Sequence, residues 1–354
     1  MRQWGEADQE SGDPLWWNVI GRNKQSLTLD LRQQRGQDVL RQLAKHADVI
    51  IENFRPGTME RWGLSYNELS RHNPKLVMVR VTGFGQDGPY ATRAGFASVC
   101  EAMGGLRYLS GYPDRPPVRV GISIGDTLAG LHAALGTMMA LHQRERSGQG
   151  QVVDSSIFES VLAMMENLIP EYARAGKVRE RSGSFLPKIA PQMLTQPVTG
   201  ATLLSAPIRT PSSAASVRPW GNLAWPTTLT TRPIAHAGRT SRLSMTLLRP
   251  GPQQHDASHI VDILAEAGVP AGLVYRAPDM LDDPHFQARE SIVAVPDRQG
   301  RPLPMQNVFP RLSSTPGRVR SVGPALGEHT HKILADWLAL SADTLDALRA
   351  DNVI

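Results

Sequence analysis

An aspartate that opens an apolar, helix-periodic run is the residue best placed to do chemistry in this chain. In "VRVGISIGDTLAGLHAALGTMMALHQRE", Asp126 directly follows Gly125. Such a carboxylate has a structural use, as a helix N-cap that accepts backbone N–H bonds of the first turn. It also has a catalytic one, as a nucleophile or base held at a helix start beside a glycine that lets substrate approach closely. The two uses are compatible. The cations come in two short stretches. "GRNKQS" sets Arg22, Asn23 and Lys24 just before a strand-like run. This is either a solvated basic turn or an anion site, in which Arg offers a planar fork and Lys a point charge. Arg55 in "ENFRPG" carries the same two readings, at the end of a predicted strand. "TGFGQDGPY" is glycine-rich but lacks the Lys-Ser/Thr ending of a phosphate loop, so its glycines are expected to let backbone pass close to a ligand.

Other chemistries find less support. His142 and His259 are isolated, and His329 and His331 have no nearby partner in sequence, so no metal site is expected. Cys100, the single cysteine, falls mid-helix among apolar residues and reads as a structural thiol. Trp16, Trp17 and Trp62 have the ring faces to stack on an adenine, although packing is their commoner use.

These residues need elements to position them. "SLTLDL" (26–31) alternates like a short strand, and "GQDVLRQLAKHA" (36–47) has the apolar spacing of one helix face. "DVIIENF" (48–54) reads as a buried strand, followed by a helix and then by the strand "KLVMVRVTGFG" (75–85). Strand, helix, strand, helix, strand is the pattern of a parallel sheet with crossover helices. Ligands of such sheets bind beyond the carboxyl ends of the strands, where "ENFRPG" and "TGFGQDGPY" fall. Helices are predicted over 96–109, 125–145 and 155–174, a helix then a strand over 259–275, and two short amphipathic helices in the tail.

The totals bound the function. A chain of 354 residues, 41% hydrophobic and 20% charged, can bury a full core and make two domains. The net charge of +5 does not signal nucleic acid, because Lys and Arg cluster on no single element. One cysteine excludes an internal disulfide framework and fits a reducing compartment. The N-terminus lacks the apolar stretch of a signal peptide, and no run of about 18 apolar residues occurs. A cytoplasmic location without a membrane partner is expected.

In their order, these segments resemble the class III CoA-transferase (CaiB/BaiF) family. The motifs are "RNKQSLTLDL", "ADVIIENFRPGTMERWGLSY", "GFGQDGPY", "RAGF…EAMGGL", "PVRVGISIGDTLAGL", "GQGQVVDSSIFES", "GVPAGLVYRAPDMLDDPHFQAR" and "TPGRVR…GPALGEHT". The resemblance implies an α/β fold, with a Rossmann-like large domain on a parallel sheet, a smaller α+β domain, and an interlocked homodimer. Residues 1–175 and 291–354 would form the large CoA-binding domain, and 176–290 the linker and small domain. Asp126 falls on the family's catalytic aspartate, which attacks the acyl-CoA thioester on the way to an aspartyl-CoA intermediate and an acyl-CoA of a small carboxylic acid acceptor. Coenzyme A is then a substrate and no cofactor is resident. Arg22, Asn23, Lys24, Asn53, Phe54, Arg55, Arg61, Arg93 and Phe96 fall on CoA-binding segments. Burial of Asp126 among apolar helix residues is expected to sharpen its nucleophilicity.

The sequence also departs from the family pattern. The family's 2-methylacyl-CoA racemases carry a His-Asp pair where this chain has Phe96 and Ala97, so the racemase alternative lacks its second base. The assistance of an acid at position 97 would have to come from elsewhere, with Glu101 one turn on. Family members begin with a further strand and helix upstream of the point matched by Met1, so the chain is expected to be N-terminally short. The run from Arg181 to His255 contains no Asp or Glu, and its Arg209, Arg218, Arg232, Arg239, Arg242 and Arg249 outweigh the whole net charge. Written in allowed codons and read one base out of register, Gln192 onward yields "NAYPTRDG", and one surplus base near Pro252 restores "QQHDASHI". Residues 191–252 are therefore expected to be out of frame, the alternative being a Pro/Ser/Thr/Arg-rich disordered insertion. If the residues stand as written, the chain would be an inactive CoA-binding relic.

Overall fold

The computed structural model describes residues 1–184, 186, 193–195, 203–205, 257–266 and 270–354. Apart from 193–195 and 203–205, the expected out-of-frame stretch 191–252 lies outside the described residues. The chain divides into two compact units. The first comprises Met1–Gly104, Ser123–Met164 and Asp279–Ile354, and the second Gly105–Ile122 and Met165–Pro278.

The first unit opens with helix α1 (Leu15–Ile20) and α2 (Gln34–Ala44). Strand β1 (Val49–Glu52), helices α3 (Thr58–Arg61) and α4 (Tyr66–His72) and strand β2 (Val77–Thr82) follow. Next come α5 (Ala97–Met103) and, in the second unit, α6 (Leu106–Leu109). The first unit resumes with α7 (Ile124–Ser147), β3 (Val152–Ser156) and α8 (Ile157–Leu162). The strands form a parallel sheet in the order β1-β2-β3, with Glu52 beside Arg80 and Arg80 beside Asp154.

Both faces of the central strand β2 are covered, as buried parallel strands require, whereas Ile51 of β1, expected in a buried strand, is exposed at the sheet's end. Met78 on one face of β2 packs with Ala44, Met59, Leu64 and Leu69 from α2 to α4. Val77 and Val79 on the other face pack against Ala133 and Ala140 of α7. The centre of that side of α7 carries small residues because the strands lie close, with Leu141 packing at its margin. A Cβ on Gly136 would stand 2.7 Å from Val153 Cγ1. The opposite side of α7 presents Leu131, Leu135, Met138 and Met139, which are 54–64% exposed.

The chain's end completes the unit. Strands β7 (Ile292–Pro296) and β8 (Pro302–Gln306) form an antiparallel hairpin. Helices α11 (Thr330–Leu338) and α12 (Ala342–Ala350) bury Leu334, Leu345 and Leu348 against Val39 and Leu43 of α2. Residues 26–31, expected as a strand, pair with no strand. Leu27 and Leu29 pack on that core, while the backbone bonds go elsewhere: Thr28 N donates to Thr330 Oγ1 (2.9 Å) and Asp30 N to Val353 O (2.8 Å).

In the second unit, α9 (Leu168–Ala175) is followed by β4 (Met193–Thr195), β5 (Leu203–Ser205), α10 (Ala257–Glu266) and β6 (Ala271–Leu273). The three strands form an antiparallel sheet in that order. Among the described residues no helix is long and apolar enough to cross a membrane.

Candidate active site

Parallel strands bring their carboxyl ends to one edge of the sheet, and each leads into a loop the sequence marks out. β1 runs into Asn53-Phe54-Arg55, β2 into the glycine loop from Gly83, and β3 directly into α8. Helix α7 returns the chain to the start of β3, so its own N-terminus lies at that same edge. Ser155 Oγ donates to Ala129 O at 3.1 Å, which ties the first turns of α7 to the end of β3.

Asp126 is the third residue of α7, not its N-cap. Ser123 holds the cap position and makes no side-chain cap bond. A carboxylate in the first turn of a 24-residue helix sits beside unpaired N–H groups and the positive end of the helix dipole. The expected burial of Asp126 is not found: the residue is exposed in the single chain, while the preceding Gly125 is buried. Position 126 stands seven residues before Ala133 and so on the small-residue side of α7, but in the helix's first turn. Gly125 meets Glu101 of α5, whose Oε1 accepts the Gly125 N–H at 3.2 Å. Cys100, next to Glu101, is fully buried, and burial pushes its thiol up, with the carboxylates of Asp126 and Glu101 adding to the effect. A thiol so held is packing, not a nucleophile.

The loop after β1 is braced from below. Arg80 Nε donates to Glu52 Oε1 at 2.7 Å, and its Nη1 and Nη2 donate to both carboxylate oxygens of Glu60, at 2.8 and 3.2 Å. The other oxygen of Glu52 accepts the Phe54 N–H at 2.7 Å. Arg80 thus fixes the backbone on which Asn53, Phe54 and Arg55 are displayed. Asn53 and Arg55 are exposed, and Phe54 sets its ring edge-on to Trp62 at 5.1 Å. Gly57, at φ +83°, makes the turn into α3 that only glycine enters without strain, and Arg61 Nη2 donates to Thr58 Oγ1 (2.9 Å). Sequence reasoning missed this bracing because Arg80 alternates within a strand like any other residue.

In the glycine loop, Gly83 serves packing, while a Cβ on Gly88 would meet nothing within 4 Å. A Cβ on Gly83 would lie 2.8 Å from the Gly95 Cα and 3.1 Å from Cys100 Sγ, so two backbones touch there. Gln86 N donates to Asp154 Oδ2 at 2.8 Å. Arg93 lays its guanidinium over the Tyr90 ring at 3.7 Å, and Phe96, the N-cap residue of α5, is exposed.

Arg22, Asn23 and Lys24 bond to the chain itself. Arg22 Nη1 donates to Gln306 O (2.8 Å), Asn23 Nδ2 to Arg318 O (2.8 Å) and Lys24 Nζ to Ile20 O (2.7 Å). Asn23, at φ +60°, also accepts the Arg320 N–H at 2.6 Å. Lys24 lines a cleft of about 430 Å³ with Arg298, Arg320 and His329, and with the acids Asp297 and Glu328. Burial, with a smaller part from the Arg22 charge, pushes the Lys24 amine down. Trp17 is used for packing, with its Nε1 donating to Pro324 O at 2.7 Å. No group of three or more metal-ligating side chains occurs among the described residues.

The sequence profile described as CoA-transferase family III matches residues 1–330. The chain belongs to that family. A succinyl-CoA–D-citramalate CoA-transferase of Chloroflexus aurantiacus is 47% identical over the whole chain and 88% of its own length. A succinate–glutarate CoA-transferase of Agrobacterium fabrum is 29% identical over 95% of this chain and 85% of its own. Among solved structures, a CaiB/BaiF family protein from Brucella suis superposes with a TM-score of 0.81 at 31% identity, over 95% of this chain and 88% of that one. The family III fold and an acyl-CoA:carboxylate CoA-transferase activity follow for this enzyme. The relatives are transferases, which does not favour the racemase alternative, in agreement with Phe96 and Ala97 at the His-Asp positions.

Proposed function

We propose that this family III enzyme moves CoA from succinyl-CoA to a small hydroxylated dicarboxylate, with Asp126 as the group that carries it. The observation on which this rests is the exposed Asp126 carboxylate in the first turn of a long helix, at the strand edge where "ENFRPG" ends β1. The substrate pair follows the name of the 47%-identical relative.

Each step balances. Asp126 attacks the acyl-CoA carbonyl and expels CoA thiolate, leaving an aspartyl-acyl anhydride. The thiolate attacks the aspartyl carbonyl, which releases the donor acid as carboxylate and leaves an aspartyl-CoA thioester. The acceptor carboxylate then attacks that thioester, and the thiolate, freed again, takes the acceptor acyl group from the second anhydride. Asp126 emerges unchanged. No proton is transferred, so the task of the site is to hold anions together and keep water from the anhydride. Asn53, Phe54, Arg55 and Arg61, with Arg93 and Phe96, suit the nucleotide end of CoA by their cations, amide and exposed ring. Lys24 and its cleft offer charge for a phosphate.

With succinyl-CoA and citramalate, the expected result is acceptor-CoA formation with parallel double-reciprocal lines, the kinetic mark of a covalent intermediate. Absence of transfer from a folded protein across a panel of dicarboxylates would favour the inactive relic.

A second copy of the chain belongs to the same proposal. Leu131, Leu135, Met138 and Met139 form an apolar stripe along α7, of the kind that marks an association surface. Light scattering coupled to size exclusion is expected to report a homodimer, and L135E with M139E to shift it toward monomer. A wild-type monomer would contradict this part.

A further inference from the structure

We infer that Glu101 is a positioning residue for Asp126, acting through the backbone of Gly125. The inference rests on the nucleophile reading given above. Glu101 is a charged residue only 1% exposed, on α5, and its Oε1 accepts the N–H of Gly125, the second residue of α7. The helix needs such an acceptor. The first N–H groups of a helix have no partner within it, and Ser123 at the cap position supplies none from its side chain. Glu101 provides from a neighbouring helix what a capping side chain would otherwise provide.

The fit is close enough to dictate the residue at 125. A Cβ there would stand 2.9 Å from Glu101 Cγ and 3.1 Å from Ile157 Cγ2, so the glycine is the space that Glu101 fills. The bond falls one residue before Asp126 and orients the turn from which that carboxylate projects. The near-complete burial of Glu101 also corrects an earlier expectation. It does not stand in for a missing acid at position 97 by meeting substrate; it sets the direction of a group that does.

Two variants separate this role from simple packing. E101Q keeps an oxygen that accepts from Gly125, whereas E101L keeps similar bulk without an acceptor. The expected result is kcat within about threefold of wild type for E101Q. For E101L, kcat falls by roughly 10- to 100-fold with KM for acyl-CoA nearly unchanged, since misaiming a reactive group costs rate more than binding. Should E101L not fold, E101M makes the same comparison. Wild-type kcat in the leucine or methionine variant overturns the inference, and so does an E101Q as slow as either. D126A is assayed beside them. Full turnover by D126A would overturn the nucleophile reading and this inference with it, whereas an inactive D126A with an unaffected E101L would overturn this inference alone.

Discussion

Replacing Asp126 with alanine is expected to lower CoA transfer by at least ~10⁴-fold, the scale seen when a catalytic nucleophile is removed. No neighbour can replace it. Glu101 is almost fully buried and bonded to Gly125, and Cys100 is buried with its thiol held in the protonated form. Asparagine in its place should be equally inactive, because the amide does not attack a thioester at a useful rate. The fold should tolerate either change. Asp126 is exposed, and loss of a first-turn acid costs about 0.3–1 kcal/mol through the helix dipole. A loss of transfer with an unchanged melting temperature and unchanged KM for acyl-CoA would therefore be the signature. A variant that retains more than about a tenth of wild-type turnover would place the chemistry elsewhere.

The second large effect is on stability, at Arg80. Its guanidinium, about one-tenth exposed, holds Glu52, whose side chain is 3% exposed, and Glu60. R80M removes the cation and leaves the Glu52 carboxylate buried without it, a loss of about 3–5 kcal/mol for a buried pair broken from one side. In a chain of this size that lowers the melting temperature by roughly 4–7 °C. Because Glu52 also holds the Phe54 N–H, the "ENFRPG" loop should loosen and KM for acyl-CoA rise, with a smaller effect on kcat.

The same site has a pH dependence of defined sign. Hydrogen bonds from Arg80 hold the Glu60 carboxyl below the ordinary glutamate range. Stabilisation from a depressed carboxyl is fully present above its unfolded value, about 4.3, and is lost as pH falls through the lower folded value. Urea titrations at pH 7 and at pH 3.5 should show the wild type losing more of its stability than R80M does. Equal losses would mean that Arg80 is not what holds Glu60.

Much of this fold was legible in the residues, and the failures have physical causes. β2 and α7 could be read because burial on both faces, or a long apolar period, leaves a strong pattern, whereas β1 keeps the apolar run of a buried strand although Ile51 is exposed. Residues 26–31 alternate because Leu27 and Leu29 pack on a core, and that pattern is the same whether the backbone joins a ladder or bonds to Thr330 and Val353. The helix expected over 96–109 breaks at Gly104 and Gly105. A Cβ at 104 would meet Val161 at 2.6 Å, and Gly105 takes φ +99°. The one expected over 155–174 begins later and breaks at Glu166, whose φ is +51°, in a stretch whose apolar period continues through the break. Of the candidate site, Asp126 and the loop cations could be named from motif order as the proposed nucleophile and CoA contacts. The partners that position them could not. The Arg80 brace and the Glu101–Gly125 bond join residues 20 and 24 positions apart, and no local spacing encodes them.

The central claim is that Asp126 carries CoA covalently, and the most direct measurement is mass spectrometry of the protein after incubation with succinyl-CoA alone. Without an acceptor the cycle should stop at the aspartyl thioester, with free succinate released. The peptide containing Asp126 should gain the mass of one CoA less one water, and D126A should gain nothing. Succinyl-CoA turnover with no adduct on that peptide, or the same adduct on D126A, would contradict the account.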